Sequence, residues 1–208
     1  MTTDHSAGWD AVADQFMAIR SDIGTALVRS WARDCLPPSA AILDIGCGSG
    51  VPIAQALASD GFTVWGVDAS PSLISAYRCH LPDMPAACEP AQDSSFFDRT
   101  FVGAVSIGLL FLLSASDQRK LLANVARVLE PDGQFLFSAP REECSWKDTL
   151  TGRISISLGA EGYAEHLASL GLTLTQCYSD EGGNNYYEAV KSTMTKRQGS
   201  AHHSIRRA

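Results

Sequence analysis

The chain lacks a long apolar run: nothing in its 208 residues approaches the ~20 consecutive apolar side chains needed to span a bilayer, so no membrane segment is expected. Its first residues, Met1-Thr2-Thr3-Asp4-His5-Ser6, offer neither a basic region nor an apolar stretch, and no signal peptide is expected. It also lacks any Cys-x-x-Cys pair. The six cysteines (35, 47, 79, 88, 144 and 177) are scattered, which argues against a disulfide framework or zinc site and for reduced thiols in the cytoplasm. Positive charge is scarce: 16 Lys and Arg stand against 23 Asp and Glu, for a net charge of −7. Nucleic-acid binders carry a basic face, so DNA or RNA is disfavoured as a partner and a small-molecule substrate is favoured. No cluster of His, Cys and acids has metal-ligand spacing, and His80 and His166 read as solvated side chains on helices. No internal repeat interrupts the chain.

What is present is an apolar strand that runs into an acid and three alternating glycines: Ile42-Leu43-Asp44-Ile45-Gly46-Cys47-Gly48-Ser49-Gly50. Gly46 can take backbone angles forbidden to other residues, and Gly48 and Gly50 leave room for a ligand against bare backbone. A strand, glycine loop and helix in this order bind nucleotide-like cofactors at the carboxyl end of a parallel sheet. The dinucleotide fingerprint needs Gly-x-Gly-x-x-Gly, but Val51 occupies the place of its third glycine.

Around this unit the chain alternates strands and helices, and its 45% hydrophobic content suits one domain with a full core. Trp9, Val12, Ala13 and Phe16, then Ile23, Leu27, Val28 and Trp31, predict two N-terminal helices, with Ser21 as the N-cap between them. Strands are expected at 41–45, 62–67, 86–89, 101–107 and 134–138. Helices follow from about Val51 to Gly61, from Ser70-Pro71 to about His80, and from the capping pattern Ser114-x-x-Asp117 to Leu129. Pro131-Asp132-Gly133 reads as a turn. Residues 141–158 show no clear periodicity and read as a long functional loop. A helix ending at Gly171 and a hairpin through Gly182-Gly183-Asn184-Asn185 close the fold, and 192–208 reads as a tail without fixed structure.

In its glycine loop, and onward to about Lys191, the chain resembles the class I S-adenosylmethionine (SAM)-dependent methyltransferases, and within them the small, single-domain enzymes of metabolites. The resemblance implies a Rossmann-like, doubly wound α/β fold. Its seven-stranded sheet has order 3-2-1-4-5-7-6, with the last strand antiparallel and N-terminal helices (1–38) capping a domain that spans 1–191. It implies SAM as methyl donor, and cofactor contacts from Asp44, Gly46, Cys47, Gly48, Gly50, Asp68, Ala69, Glu89 and Ser106. Asp44 would lie near the methionine ammonium; the alternative is a carboxylate that braces the loop through backbone amides. Asp68 stands ~20 residues beyond the loop at the next strand end, where an acid accepts the ribose hydroxyls; a plain helix-start acid is the other reading. Glu89 would take the adenine amino group or remain a surface carboxylate. Pro90 has no N–H to face the ring, so either that donor shifts to a residue such as Gln92 or the match to the family slips at this point. Val102 replaces the acid usual at this point of the family's fourth strand.

Four further positions have two readings each. Arg20 resembles the basic residue that some relatives use for the cofactor carboxylate, or is a surface arginine. Trp9 is a lid over the cofactor or a core residue. Gly108 admits substrate or simply ends a strand. Cys47 is a small packing residue or a nucleophile. Trp146 and Asp148, in the segment after the fifth strand, are the substrate-site candidates. Two functions compete with methyl transfer: an NAD(P)-dependent oxidoreductase, and a SAM-binding module without catalysis.

Overall fold

The strand Ala41–Ile45 (β1) is apolar on both faces and nearly wholly buried, as a central parallel strand must be. In the computed structural model, which describes residues 4–193, β1 pairs in parallel with Thr63–Asp68 (β2) on one side and Phe101–Ser106 (β4) on the other. Ala86–Cys88 (β3) extends the sheet beyond β2, and Leu129–Ser138 (β5) extends it beyond β4. The chain closes with Leu172–Ser179 (β8) and Asn185–Lys191 (β9), and β9 runs antiparallel to both β5 and β8. The order is β3-β2-β1-β4-β5-β9-β8, the doubly wound arrangement expected, since two strands of a separate hairpin raise the numbers of the last pair.

Helices cover both faces. Thr25–Cys35 (α2), Ile53–Ser59 (α3) and Pro71–His80 (α4) bury Val28, Trp31, Leu57, Ile74 and Tyr77 against one side. Ala115–Val128 (α5) and Gly159–Ser169 (α6) bury Leu121, Leu122, Val125, Tyr163 and Leu167 against the other. Their starts follow local chemistry. The Ser70 side chain caps the Leu73 amide with Pro71 at the first turn, and Ser114 caps the Asp117 amide. Ala13–Ile19 (α1) follows a short 3-10 turn, Asp10–Val12, and lies over the carboxyl edge of the sheet rather than in either layer.

Four expectations need correction. Residues 141–158 are not a loop but an antiparallel hairpin, Glu143–Lys147 (β6) and Ile154–Leu158 (β7). Ser21 caps nothing: α2 begins after Gly24, whose φ of +82° and lack of a side chain let the Tyr186 hydroxyl pass close by. Leu129 opens β5 instead of closing α5, and the turn at Pro131–Gly133 lies within that strand, where the register to β4 shifts. Val51 and Pro52 precede α3, which starts at Ile53. Of the expected tail, residues 194–208 lie outside the described residues.

Candidate functional site

The parallel register sets Asp44 opposite Gly66 and Ile45 opposite Val67, so the carboxyl ends of β1 and β2 lie side by side. The order reverses between β1 and β4, and open α/β sheets bind ligands at that crevice. There the glycine loop is tied down: the Gly46 and Cys47 amides both donate to the Val67 carbonyl, at 2.8 and 3.1 Å. The Gly48 amide donates to Asp68 Oδ2 at 3.0 Å, and the Ser70 amide donates to Asp68 Oδ1 at 2.9 Å. Asp68 thus joins the loop to the start of α4. The loop-bracing role weighed for Asp44 falls to Asp68, which is also a helix-start acid.

The glycines divide their work. A Cβ on Gly50 (φ +80°) would stand 2.8 Å from the Tyr77 ring, so its bareness serves packing against α4, not a ligand, and the expectation for it is corrected. Gly48 (φ +54°) faces the cavity, with the Phe16 ring 3.4 Å from where a Cβ would be.

A cavity of about 1150 Å³ opens over this edge. Asp44, Gly46, Cys47, Gly48, Asp68 and Ala69 line it, as do Arg20, Trp9 and Gly108. Trp146 and Asp148 line it as well, so the structure brings the substrate-site candidates to the same chamber as the glycine loop. Three expected residues stand elsewhere. Gly50 packs behind the loop, Glu89 accepts the Ser94 hydroxyl at 2.5 Å, and Ser106 is fully buried and donates to the Ile45 carbonyl at 3.2 Å. Gln92, beside Pro90 and Ala91, occupies the wall where Glu89 was expected.

Electrostatics set Asp44 apart. Its side chain is buried, with 3% of the residue exposed, and its Oδ2 has no hydrogen-bond partner. Burial first, then the neighbouring Asp68 carboxylate, pushes its carboxyl up to about 7, against the pull of Arg20. A buried acceptor oxygen without a donor is costly unless a ligand supplies one, and a cationic donor fits it best. Burial also raises Asp68, opposed by the Ser70 and Gly48 amides. Burial pushes the Cys47 thiol well above its ordinary range, which favours the packing reading over the nucleophilic one.

The roof has two parts. The N-terminal strap, residues 4–24, lays Trp9 and Phe16 on the cavity as an edge-to-face pair 5.5 Å apart. It is latched at both ends. Asp10 Oδ1 accepts the Ser70 hydroxyl at 2.6 Å and the Ser72 amide at 2.8 Å, and the Gly24 amide donates to Glu181 Oε1 at 3.1 Å. The β6–β7 hairpin supplies the second part, and Phe111, from the 3-10 turn Leu110–Leu112, meets Trp146 there with ring centroids 5.4 Å apart. Phe16, Phe111 and Tyr186 are cavity residues that the sequence reading missed. Only Phe16 carried a signal, as one of the apolar series at helical spacing.

Among the described residues, no helix is long and apolar enough to cross a membrane, and no group of three His, Cys, Asp or Glu is placed to hold a metal ion. Residues 42–133 match the family described as a methyltransferase domain. The chain is 31% identical over 99 residues to the ubiquinone biosynthesis O-methyltransferase of Coxiella burnetii (strain Dugway 5J108-111), a match covering 47% of this chain and 42% of that protein. The chain spans about half the length of the curated relatives it matches. Among solved structures it superposes on the 1,6-didemethyltoxoflavin-N1-methyltransferase of Burkholderia thailandensis with a TM-score of 0.69, at 18% identity over 93% of this chain and 92% of that one. CalS10, an amino pentose methyltransferase of Micromonospora echinaspora solved with SAM bound, gives 0.68 at 17% identity, covering 81% of this chain and 90% of that one. At these identities the structural likeness establishes the fold.

Proposed function

We propose that this chain, a class I methyltransferase by domain and by fold, transfers the methyl group of SAM to an oxygen or nitrogen atom of a small-molecule acceptor. The observation that carries the reading is Asp44: a buried carboxylate oxygen without a donor, beside a glycine loop whose amides are already ordered. It fits the ammonium of an amino-acid cofactor, directly or through one water. Each Asp68 oxygen accepts one amide and keeps a lone pair for a ribose hydroxyl. Ala69 and the backbone of Gly46–Gly48 border the nucleoside, Gln92 stands where the adenine edge would reach, and Arg20 faces the cofactor carboxylate. When bound, the sulfonium supplies an electrophilic methyl carbon. The protein's part is to hold an acceptor atom in line with it and to keep water out, and alignment of this kind lowers a barrier by several kcal/mol. The strap with Trp9 and Phe16 supplies the water exclusion. Six free cysteines support placing the reaction in the cytoplasm.

Thermal-shift titration tests the reading first. SAM and its demethylated product, S-adenosylhomocysteine (SAH), are expected to stabilise the protein, and NAD is not. Stabilisation by NAD alone would move the chain to the oxidoreductases. A labelled-methyl assay over a metabolite panel then separates an enzyme from a binding module, for which no member of the panel would take up label.

A further inference from the structure

The cavity is larger than the roughly 300–1,000 Å³ of a site for one small ligand, which leaves space for an acceptor beside a nucleoside. Beyond Gly108 the cavity is lined by the 3-10 turn Leu110–Leu112 and the β6–β7 hairpin. Its wall is aromatic. Phe111 and Trp146 lie with ring centroids 5.4 Å apart and planes tilted by 43°, and both line the cavity. Aromatic rings prefer partners that stack offset or meet edge to face at such distances. A tilted pair on a cavity wall offers one ring to stack on and the edge of another. Ile156 and Pro140 continue the apolar wall.

The charge on the cavity selects further. With Asp44, Asp68 and Arg20 given to the cofactor, Asp117 and Asp148 line the remaining wall against the single guanidinium of Arg153. Arg153 is shared with the strap, where its charge acts on Asp4 and its side chain lies against Gly8. In the hairpin turn, Asp148 Oδ1 accepts the Leu150 and Thr151 amides and the Thr151 hydroxyl. A carboxylated or phosphorylated acceptor would enter against this excess of negative charge.

Building on the methyl-transfer reading, we propose that the acceptor is a planar aromatic compound, uncharged or cationic, that stacks on the Trp146–Phe111 pair, with Asp148 rejecting anionic analogues. Three probes on one carbon skeleton test it by calorimetry on the SAH-saturated protein: 2-naphthol, decahydro-2-naphthol and 6-hydroxy-2-naphthoate. 2-Naphthol is expected to bind at least tenfold more tightly than either of the others. Trp146→Leu should erase the preference for the flat ring while SAH affinity stays within twofold. Trp146→Phe should keep most of the preference, and Asp148→Asn should narrow the gap to the naphthoate. Equal binding of the decahydro compound, tighter binding of the naphthoate, or no binding of 2-naphthol would overturn the proposal. Failure of SAH to bind would instead overturn the methyl-transfer reading on which it rests. The wild-type comparison needs no variant, so a Trp146→Leu protein that does not fold leaves the test intact.

Discussion

Asp44 is a buried carboxyl group with an unpaired oxygen, and that burial has a cost that can be measured. Its carboxyl lies at about 7 in the folded protein, whereas an unfolded chain would hold it near its ordinary value of about 4. The folded state therefore binds the proton more tightly, and this residue's contribution to stability falls as pH rises from about 4 through 7. Asp44→Asn should raise the unfolding free energy of the cofactor-free protein at pH 8 by about 1–3 kcal/mol, and the gain should shrink towards pH 5. A variant less stable than wild type at pH 8 would refute the buried charge. The same titration shapes binding. A cationic ligand prefers the ionised carboxylate, so SAH affinity should climb between pH 5.5 and 7.5, with proton release on binding in calorimetry at the acid end. Asp68→Ala should weaken SAM by about 1.5–3 kcal/mol, the scale for a hydrogen bond to a charged group. Unchanged affinity would leave Asp68 as a loop brace alone. Both acids were legible in the sequence because strand-end carboxylates beside a glycine loop are a local pattern. Which of them braces the loop was not legible, because that depends on the side-by-side ends of β1 and β2.

At the scale of the element, the glycine loop forms after β1 where its spacing predicts, with Gly46 and Gly48 on the cavity and Gly50 turned to packing. Gly50 looks like a ligand-facing glycine from its spacing, yet the Tyr77 ring and Leu81 of the α4 region fill the space beside it. Gly50→Ala should cost about 2–4 kcal/mol in urea unfolding, from the positive φ and the clash together, with a smaller effect on SAM affinity in the fraction that folds. A cost below 1 kcal/mol would show that α4 yields easily. The β6–β7 hairpin teaches the reverse. Ile154-Ser155-Ile156-Ser157-Leu158 alternates with period two, which is a strand signal. Read alone it would also have misled, since Ser155 and Ser157 are 1% and 0% exposed while Ile154 is 61% exposed. The Ser157 hydroxyl, which donates to the Pro140 carbonyl at 2.8 Å, shows how a serine there can be buried at little cost.

At the scale of the whole molecule, the strap, the glycine loop and the hairpin are fixed around one chamber, so a ligand that fills it should couple to global stability. SAH at 100 times its dissociation constant should stabilise the fold by about 2.7 kcal/mol. For a domain of this size that raises the melting temperature by roughly 5–10 °C. A shift near zero at saturation confirmed by calorimetry would mean that the ligand binds the unfolded chain equally well or that unfolding begins elsewhere.

The sequence by itself determined the alternation of strands and helices, the helix starts at Ser70 and Ser114 and the glycine loop after β1, because each rests on backbone conformation and short-range spacing, whereas the strand order followed from the family resemblance. The tertiary structure alone decided what faces that edge. Phe111 and Trp146 lie far apart along the chain, as do Gly24 and Glu181, and no local pattern records a meeting that exists only once the sheet has closed the distance.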